Sequence, residues 1–276
     1  MKRASREKLI RTLIVVIFLA ILLFPVLILI NTSLQSHENI KLWPPRFFQE
    51  FRFENYREAI FGEKSIMHAF SNSLQISVIT MVLCIVVGML AAYSVTRFDF
   101  KGKKLFLILI IVTQMFSPVI LVNPMYVIFR EMGLLNTKLA LIIASTASSL
   151  PMTVWLLYSY FSQIPIEYEE AAWMDGATRL RGVFNFILPI AIPGIITAGL
   201  FAFIMAWGDL VFARSFILSP ELRTVSIALT SFQDLYKTSW ETQMAASVIT
   251  AMPTFIIFIL IQNHLVKGMT SQGVKG

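Results

Sequence analysis

Charge is what this sequence has least of. Asp, Glu, Lys and Arg make up 14% of its 276 residues, against about 25% in a soluble globular domain. With 57% of residues hydrophobic and a mean hydropathy of +0.73, that deficit puts the chain among integral membrane proteins. Cysteine occurs once, as Cys84 inside an apolar run, so no disulfide can form within the chain. His37, His68 and His264 lie far apart without ligand spacing, which gives no reason to expect a metal. No G-x-x-x-x-G-K-[ST] stretch is present, so the chain has no phosphate-cradling loop of its own. Paired carboxylates and nucleophile–base arrangements are also missing, and catalysis by this chain is not expected. Its formal charge of +7 is scattered at the ends of apolar runs rather than drawn into a basic stripe with aromatics, which argues against nucleic acid as a partner.

What is present is a series of apolar runs. Leu13 to Ile30 holds eighteen residues without a charge, interrupted only by Pro25. The basic residues before it resemble a signal peptide, but the run is long and "NTSLQS" after it offers no small-x-small cleavage site. It reads as an uncleaved transmembrane helix. Five further spans are expected at about 73–95, 105–129, 139–161, 186–212 and 244–265. Without a period of two, helices are favoured over a barrel, so the expected fold is all-α with six spans. The chain then divides into an N-terminus with the first span (1–31), an outer loop (32–71), a core (72–265) and a tail (266–276). In the outer loop, "FRFENYREAIFG" is patterned for a short amphipathic helix.

Basic residues set the orientation. Five precede the first span, and "RFDFKGKK" adds Arg97, Lys101, Lys103 and Lys104. Segments assigned to the inside hold 13 of the 23 Lys and Arg, and five of the remaining ten are intermixed with five glutamates in the 32–72 loop. Both termini are therefore expected in the cytoplasm.

One acidic stretch interrupts this pattern. "EYEEAAWMDGATRL", residues 167 to 180, gathers Glu167, Glu169, Glu170 and Asp175 between spans four and five, in the loop 162–185. Pro165 suits a first helical turn, the glutamates suit the positive end of the dipole, and Gly176 is a natural stop. A helix of about three turns is too short to be stable alone in water and needs a surface. Its own chain and the groove of a partner protein are equally good surfaces on physical grounds.

"EEAAWMDGA", followed by "ILP" at Ile187–Pro189, resembles the EAA loop of binding-protein-dependent ABC importer permeases. Glu170, Ala171, Ala172 and Gly176 match the motif directly, while "ILP" lacks the residue usually found between Ile and Leu. The stretches "FENYREAI", "NSLQISVITMVLCIVVGMLAAYSVTRFDFKGKK" and "WETQMAASVITAMPTFIIFILIQNHLVKGMTSQGVKG" are similar to the sugar-transporting branch, in particular its maltose-type second permease. The resemblance implies a type I ABC importer permease that carries a carbohydrate, an oligosaccharide, into the cytoplasm. Its implied partners are a second permease, an ATPase dimer with its own ATP and Mg, and an extracytoplasmic solute-binding protein. It also implies that Glu169, Glu170, Ala171, Ala172, Asp175, Gly176, Leu188 and Pro189 form the ATPase-coupling loop. The tail residues Gln272, Gly273, Val274, Lys275 and Gly276 are expected to touch the ATPase. A polyol or glycerophosphodiester is the alternative cargo within the family, and an ion-coupled secondary transporter is the alternative class.

Polar residues at depth are the candidates for a substrate path. Asp209 is the one acid well inside an expected span, open to a salt bridge with Arg214 or to the path itself. Trp207 offers a stacking face for a sugar, although tryptophan is also common at bilayer interfaces. Gln114 and Asn123, with Ser117, Pro118 and Pro124 in span three, suit either helix–helix hydrogen bonding or the path.

Overall fold

Every regular element among the described residues is helical. The computed structural model describes residues 2–45, 47–233 and 239–270, and the side chains of these except 2–7, 180 and 263–270. In chain order the helices are α1 (Lys2–Ser33), α2 (His37–Ile40), α3 (Glu54–Phe61), α4 (Met67–Arg97), α5 (Lys103–Thr113), α6 (Pro118–Glu131) and α7 (Lys138–Phe161). They continue as α8 (Glu167–Met174), α9 (Arg179–Gly182), α10 (Leu188–Trp207), α11 (Val211–Phe216), α12 (Val225–Thr230) and α13 (Trp240–Thr270). Five continuous stretches are long and apolar enough to cross a bilayer: Lys8–Ser33, Met67–Arg97, Lys138–Phe161, Val183–Trp207 and Trp240–Gln262.

The third expected span, 105–129, is not one straight helix. Helices α5 and α6 meet at an angle of 99°. The cause is legible in Ser117–Pro118. The Ser117 hydroxyl accepts from the Val119 N–H as an N-cap, and Pro118 takes the first helical position, where its missing N–H costs nothing. Span five is also shorter than expected. It ends at Trp207, and a break at Gly208–Leu210 precedes α11.

The chain forms two compact units. One comprises residues 1–67 with 228–252, the other 68–227 with 253–276. In the first, the segment after α1 is tied down by a mixed set of side-chain and backbone bonds. Asn31 Oδ1 accepts from Phe48 N at 2.7 Å, and Arg52 N donates to Leu34 O at 2.8 Å. The Glu50 carboxylate accepts from Ser36 N at 3.0 Å and Asn39 Nδ2 at 2.8 Å. Hydrogen bonding from Ser36, then Asn39, holds the Glu50 carboxyl below its ordinary value. The amphipathic helix expected within 51–62 is α3, whose buried face is Asn55 and Ala59.

In the second unit, α4 and α7 run parallel and α10 runs antiparallel to both. Near one end Ile76 shares a cluster with Ala140, Leu141 and Phe212, and near the other Ala92 shares one with Leu157, Phe161 and Ala191. Along α10 six of the eight buried positions are small: Ala191, Gly194, Ala198, Gly199, Ala202 and Ala206, the other two being Phe203 and Trp207 near its end. Small residues let backbones approach where lipid supplies no hydrophobic drive between helices. At Gly194 the approach is extreme, since an added Cβ would lie 2.7 Å from Tyr160 Cδ2 on α7. Overpacking of that kind costs about 1–3 kcal/mol. Gly194→Val should therefore lower the thermal midpoint of the detergent-purified protein, and Tyr160→Ala in the same chain should recover part of the loss. An unchanged midpoint in Gly194→Val would mean that the helices meet less closely.

Candidate functional site: the acidic loop helix

The acidic helix is held by the end of the second span. The Glu169 side chain is 1% exposed and forms an ion pair with Arg97 Nε, whose own side chain is 8% exposed. Tyr93, one turn earlier on α4, donates its hydroxyl to Glu169 Oε2 at 2.9 Å. Arg97 Nη2 also donates to Ile164 O at 3.1 Å, which ties the same guanidinium to the chain entering α8. Ion pair, phenol and carbonyl thus satisfy both charges, the condition under which a buried pair persists.

Local sequence explains the helix itself. Glu167, Glu169 and Glu170 occupy the first turn, where the dipole favours anions. At the other end Ala177 N donates to Ala172 O and Gly176 N to Trp173 O, each at 3.0 Å. This is a Schellman stop, and it requires the left-handed backbone that Gly176 adopts at φ 84°. The helix spans Glu167–Met174, nearer two turns than the three expected. Arg179 then stacks its guanidinium over Trp173 at 5.4 Å, folding the following segment back onto the helix. A π-helical turn, Val183–Ile187, leads into α10. Pro189 lacks an N–H and would crowd the carbonyl four residues back in a regular helix, and the wider turn accommodates it.

The helix has two distinct faces. Glu169 and Ala172 are buried and Trp173 is half-buried in the chain's own fold. Glu167, Glu170, Ala171 and Met174 are exposed, and their spacing of i, i+3, i+4 and i+7 makes one continuous stripe. Met174 is 88% exposed and Tyr168, beside the stripe, 55%. The two alanines of the motif face opposite ways. Ala172, 2% exposed, packs inside, whereas Ala171 is outside. Asp175 and Gly176 are exposed at the C-terminal end, while Leu188 and Pro189 lie at the start of α10, half-buried and exposed.

The candidate path residues lie on three elements: Gln114 at the end of α5, Asn123 on α6, and Trp207 and Asp209 at the end of α10 and just beyond it. Trp207 is 6% exposed, with Phe203 stacked at 5.7 Å and the Phe70 ring edge-on at 5.3 Å, so it is no open stacking face. Asp209 follows the end of α10 and caps α11, its carboxylate accepting from Phe212 N at 3.3 Å and Ala213 N at 3.0 Å. Neither a path position nor a pair with Arg214 is needed to explain that acid. Gln114 caps the end of α5 and Asn123 lies on α6, both exposed. Tail residues Gln272–Gly276 lie outside the described residues.

Several positioning residues were not singled out in the sequence. Arg97 counted only as a positive charge, because nothing local ties it to an acid 72 positions away. Asn136, at φ 58°, accepts from Leu218 N and Ser219 N and donates to Ser219 Oγ, pinning the segment after α11. Its place next to Gly133 and Thr137 in a turn was the available signal.

Residues 84–271 match the family model described as "Binding-protein-dependent transport system inner membrane component". The chain belongs to this family. As a whole the permease is 36% identical over 263 residues to the inner membrane ABC transporter permease protein YcjP of Escherichia coli (strain K12), covering 94% of each chain. It is 32% identical to the trehalose/maltose transport system permease protein MalG of Thermococcus litoralis, covering 98% of this chain and 99% of that one. Its fold matches a chain in the crystal structure of a bacterial ABC transporter involved in import of the acidic polysaccharide alginate. The TM-score there is 0.77 at 21% identity, over 95% of this chain and 98% of the other. The permease is thus an all-helical inner-membrane transport subunit of the type I importer fold, and like its relatives not an enzyme.

Breaking the buried pair from one side should be severe. Arg97→Met leaves the Glu169 carboxylate buried without its cation, a loss of about 3–5 kcal/mol, whereas Arg97→Met with Glu169→Leu removes both charges and should recover much of it. The readout is the thermal midpoint, with limited trypsin cleavage at Arg179 and Arg181 reporting release of the loop. A double variant as unstable as the single one would mean that the pair stabilises by more than mutual neutralisation.

Proposed function

We propose that this permease is one membrane half of a carbohydrate ABC importer, working with a second related permease, an ATPase dimer and an extracytoplasmic solute-binding protein. The observation that carries the reading is the exposed stripe Glu167, Glu170, Ala171 and Met174 on a helix otherwise clamped to its own chain. An acidic stripe with one protruding apolar knob suits a basic groove with an apolar pocket, such as a cytoplasmic ATPase would offer. A trehalose/maltose permease among the relatives supports carbohydrate as the cargo class. Parallel α4 and α7 bring the basic segment after Arg97 and the acidic helix to the same end, which agrees with both lying in the cytoplasm with the two termini.

The coupling then follows from the geometry. ATP and Mg bound by the partner supply the energy, and the ATPase moves the stripe. Movement of α8 passes to α4 through Glu169 and Arg97, and to α10 through the π-helical turn. Discrete packing of the small-residue stripe on α10 favours two arrangements over a continuous deformation.

Two variants on the stripe test this. Ala171→Trp places a large ring in the contact, and Glu170→Lys reverses a charge near the helix start, adding about 0.3–1 kcal/mol of dipole penalty and disrupting a basic groove. Both should insert and fold normally, yet show weakened ATPase co-purification or ATP hydrolysis no longer stimulated by loaded binding protein. Normal assembly, stimulation and sugar uptake in both would overturn the coupling role. Deleting Gln272–Gly276 should likewise lower stimulated ATP hydrolysis without loss of insertion. Uptake by this chain alone in ATP-free vesicles, driven by an ion gradient, would favour a secondary transporter instead.

A further inference from the structure

A polar cleft of about 570 Å³ opens among α2, α3 and the first turn of α13, all within one compact unit. Two of its lining side chains are more than nine-tenths buried and still have a polar atom unused. Asn55, 6% exposed, donates its amide to Ser33 O at 2.9 Å and Gln35 O at 2.8 Å, which leaves its carbonyl oxygen as a fixed acceptor. The hydroxyl of Thr242, a residue 7% exposed, makes no hydrogen bond with any described residue. Neither atom is closed off from solvent; both open onto the cleft, where they can meet a visitor that both donates and accepts. A hydroxyl does both.

The surrounding groups narrow the class. His37 Nδ1 meets Glu241 Oε2 at 3.1 Å, and Arg52 Nε meets Glu54 Oε2 at 2.9 Å, so these groups already have partners. Arg57 and Glu58 add one exposed charge of each sign, Glu58 folding its carboxylate over Gly62. The lining carries no excess of positive charge to hold an anion, and no group of three metal-ligating side chains exists among the described residues. What remains is a set of alternating donors and acceptors around a flat apolar ring, Phe61, which is 80% exposed at the wall. Such a wall suits the C–H face of a sugar ring, while its hydroxyls engage the polar side.

We propose that this cleft binds a neutral saccharide unit, as a site separate from any path through the spans; the proposal rests on the carbohydrate reading above. The site is prebuilt, since Asn55 is anchored to the main chain and Glu241 is held by His37. It binds weakly, by a few hydrogen bonds and one ring face, and so can pass its occupant on.

Saturation-transfer NMR on the assembled transporter in nanodiscs, without binding protein, tests it with trehalose, maltose and diacetylchitobiose as probes. At least one should receive saturation, and Thr242→Val and Arg57→Ala should each weaken the interaction about tenfold, the loss of one or two good hydrogen bonds. No transfer to any of the three, or equal transfer in wild type and both variants, overturns the cleft. So does a result in which the variants lose only affinity for the binding protein, since the cleft is then a protein dock. Carbohydrate uptake by the complete wild-type system, measured in parallel, separates the two failures. Uptake with a silent cleft sinks the cleft alone, and no carbohydrate uptake sinks the functional reading.

Discussion

The ion pair between Glu169 and Arg97 is the contact on which the rest of the permease's working end depends. It joins a two-turn helix, which has no stability of its own in water, to the last turn of a long span. Both charges are taken out of water, so neither can drift from the other without exposing an uncompensated ion to a poorly solvating environment. Tyr93 and the Ile164 carbonyl fill the remaining hydrogen-bonding positions. The arrangement is therefore directional as well as strong. It fixes which face of the helix points inward, and in doing so decides that Glu167, Glu170, Ala171 and Met174 point away.

That division reconciles the two surfaces between which the sequence could not choose. A helix this short must dock on its own chain to exist, and only the face left over is free for a partner. Met174, almost fully exposed, would be an odd residue to leave in solvent, and methionine adapts readily to an irregular apolar pocket. The same logic separates two adjacent alanines. Ala171 and Ala172 are equivalent in composition and opposite in environment, because a step of one residue turns a helix by about 100°.

The helical class, the number of apolar runs and the acidic loop were legible because each rests on local chemistry: unbroken hydrophobicity, glutamates at a helix start, and Gly176 at the stop. Family resemblance in "EEAAWMDGA" carried the rest of the assignment. The Ser117–Pro118 break was legible too, but a hydropathy window runs across it, since the residues on both sides are apolar. For Trp207 and Asp209 the limit was of a different kind. Their polarity was read against the bilayer, while the structure gives each a partner within the chain: Phe203 and Phe70 for the ring, and the α11 backbone for the carboxylate. Arg97 could not be identified at all, because its partner is 72 positions distant and no periodicity links them.

The bend between α5 and α6 has a bearing on how the protein is made. Eleven residues of α5 rise about 16 Å, roughly half of the ~30 Å hydrocarbon layer. Neither half of this span is long enough to leave the insertion machinery for lipid as an independent unit, and the backbone groups at the break need protein or water around them. Helix α5 rests on α7, and α6 on α7 and α11. These supports are synthesised later. The third span therefore gains much of its packing only once the fourth has emerged, which favours integration of the two together.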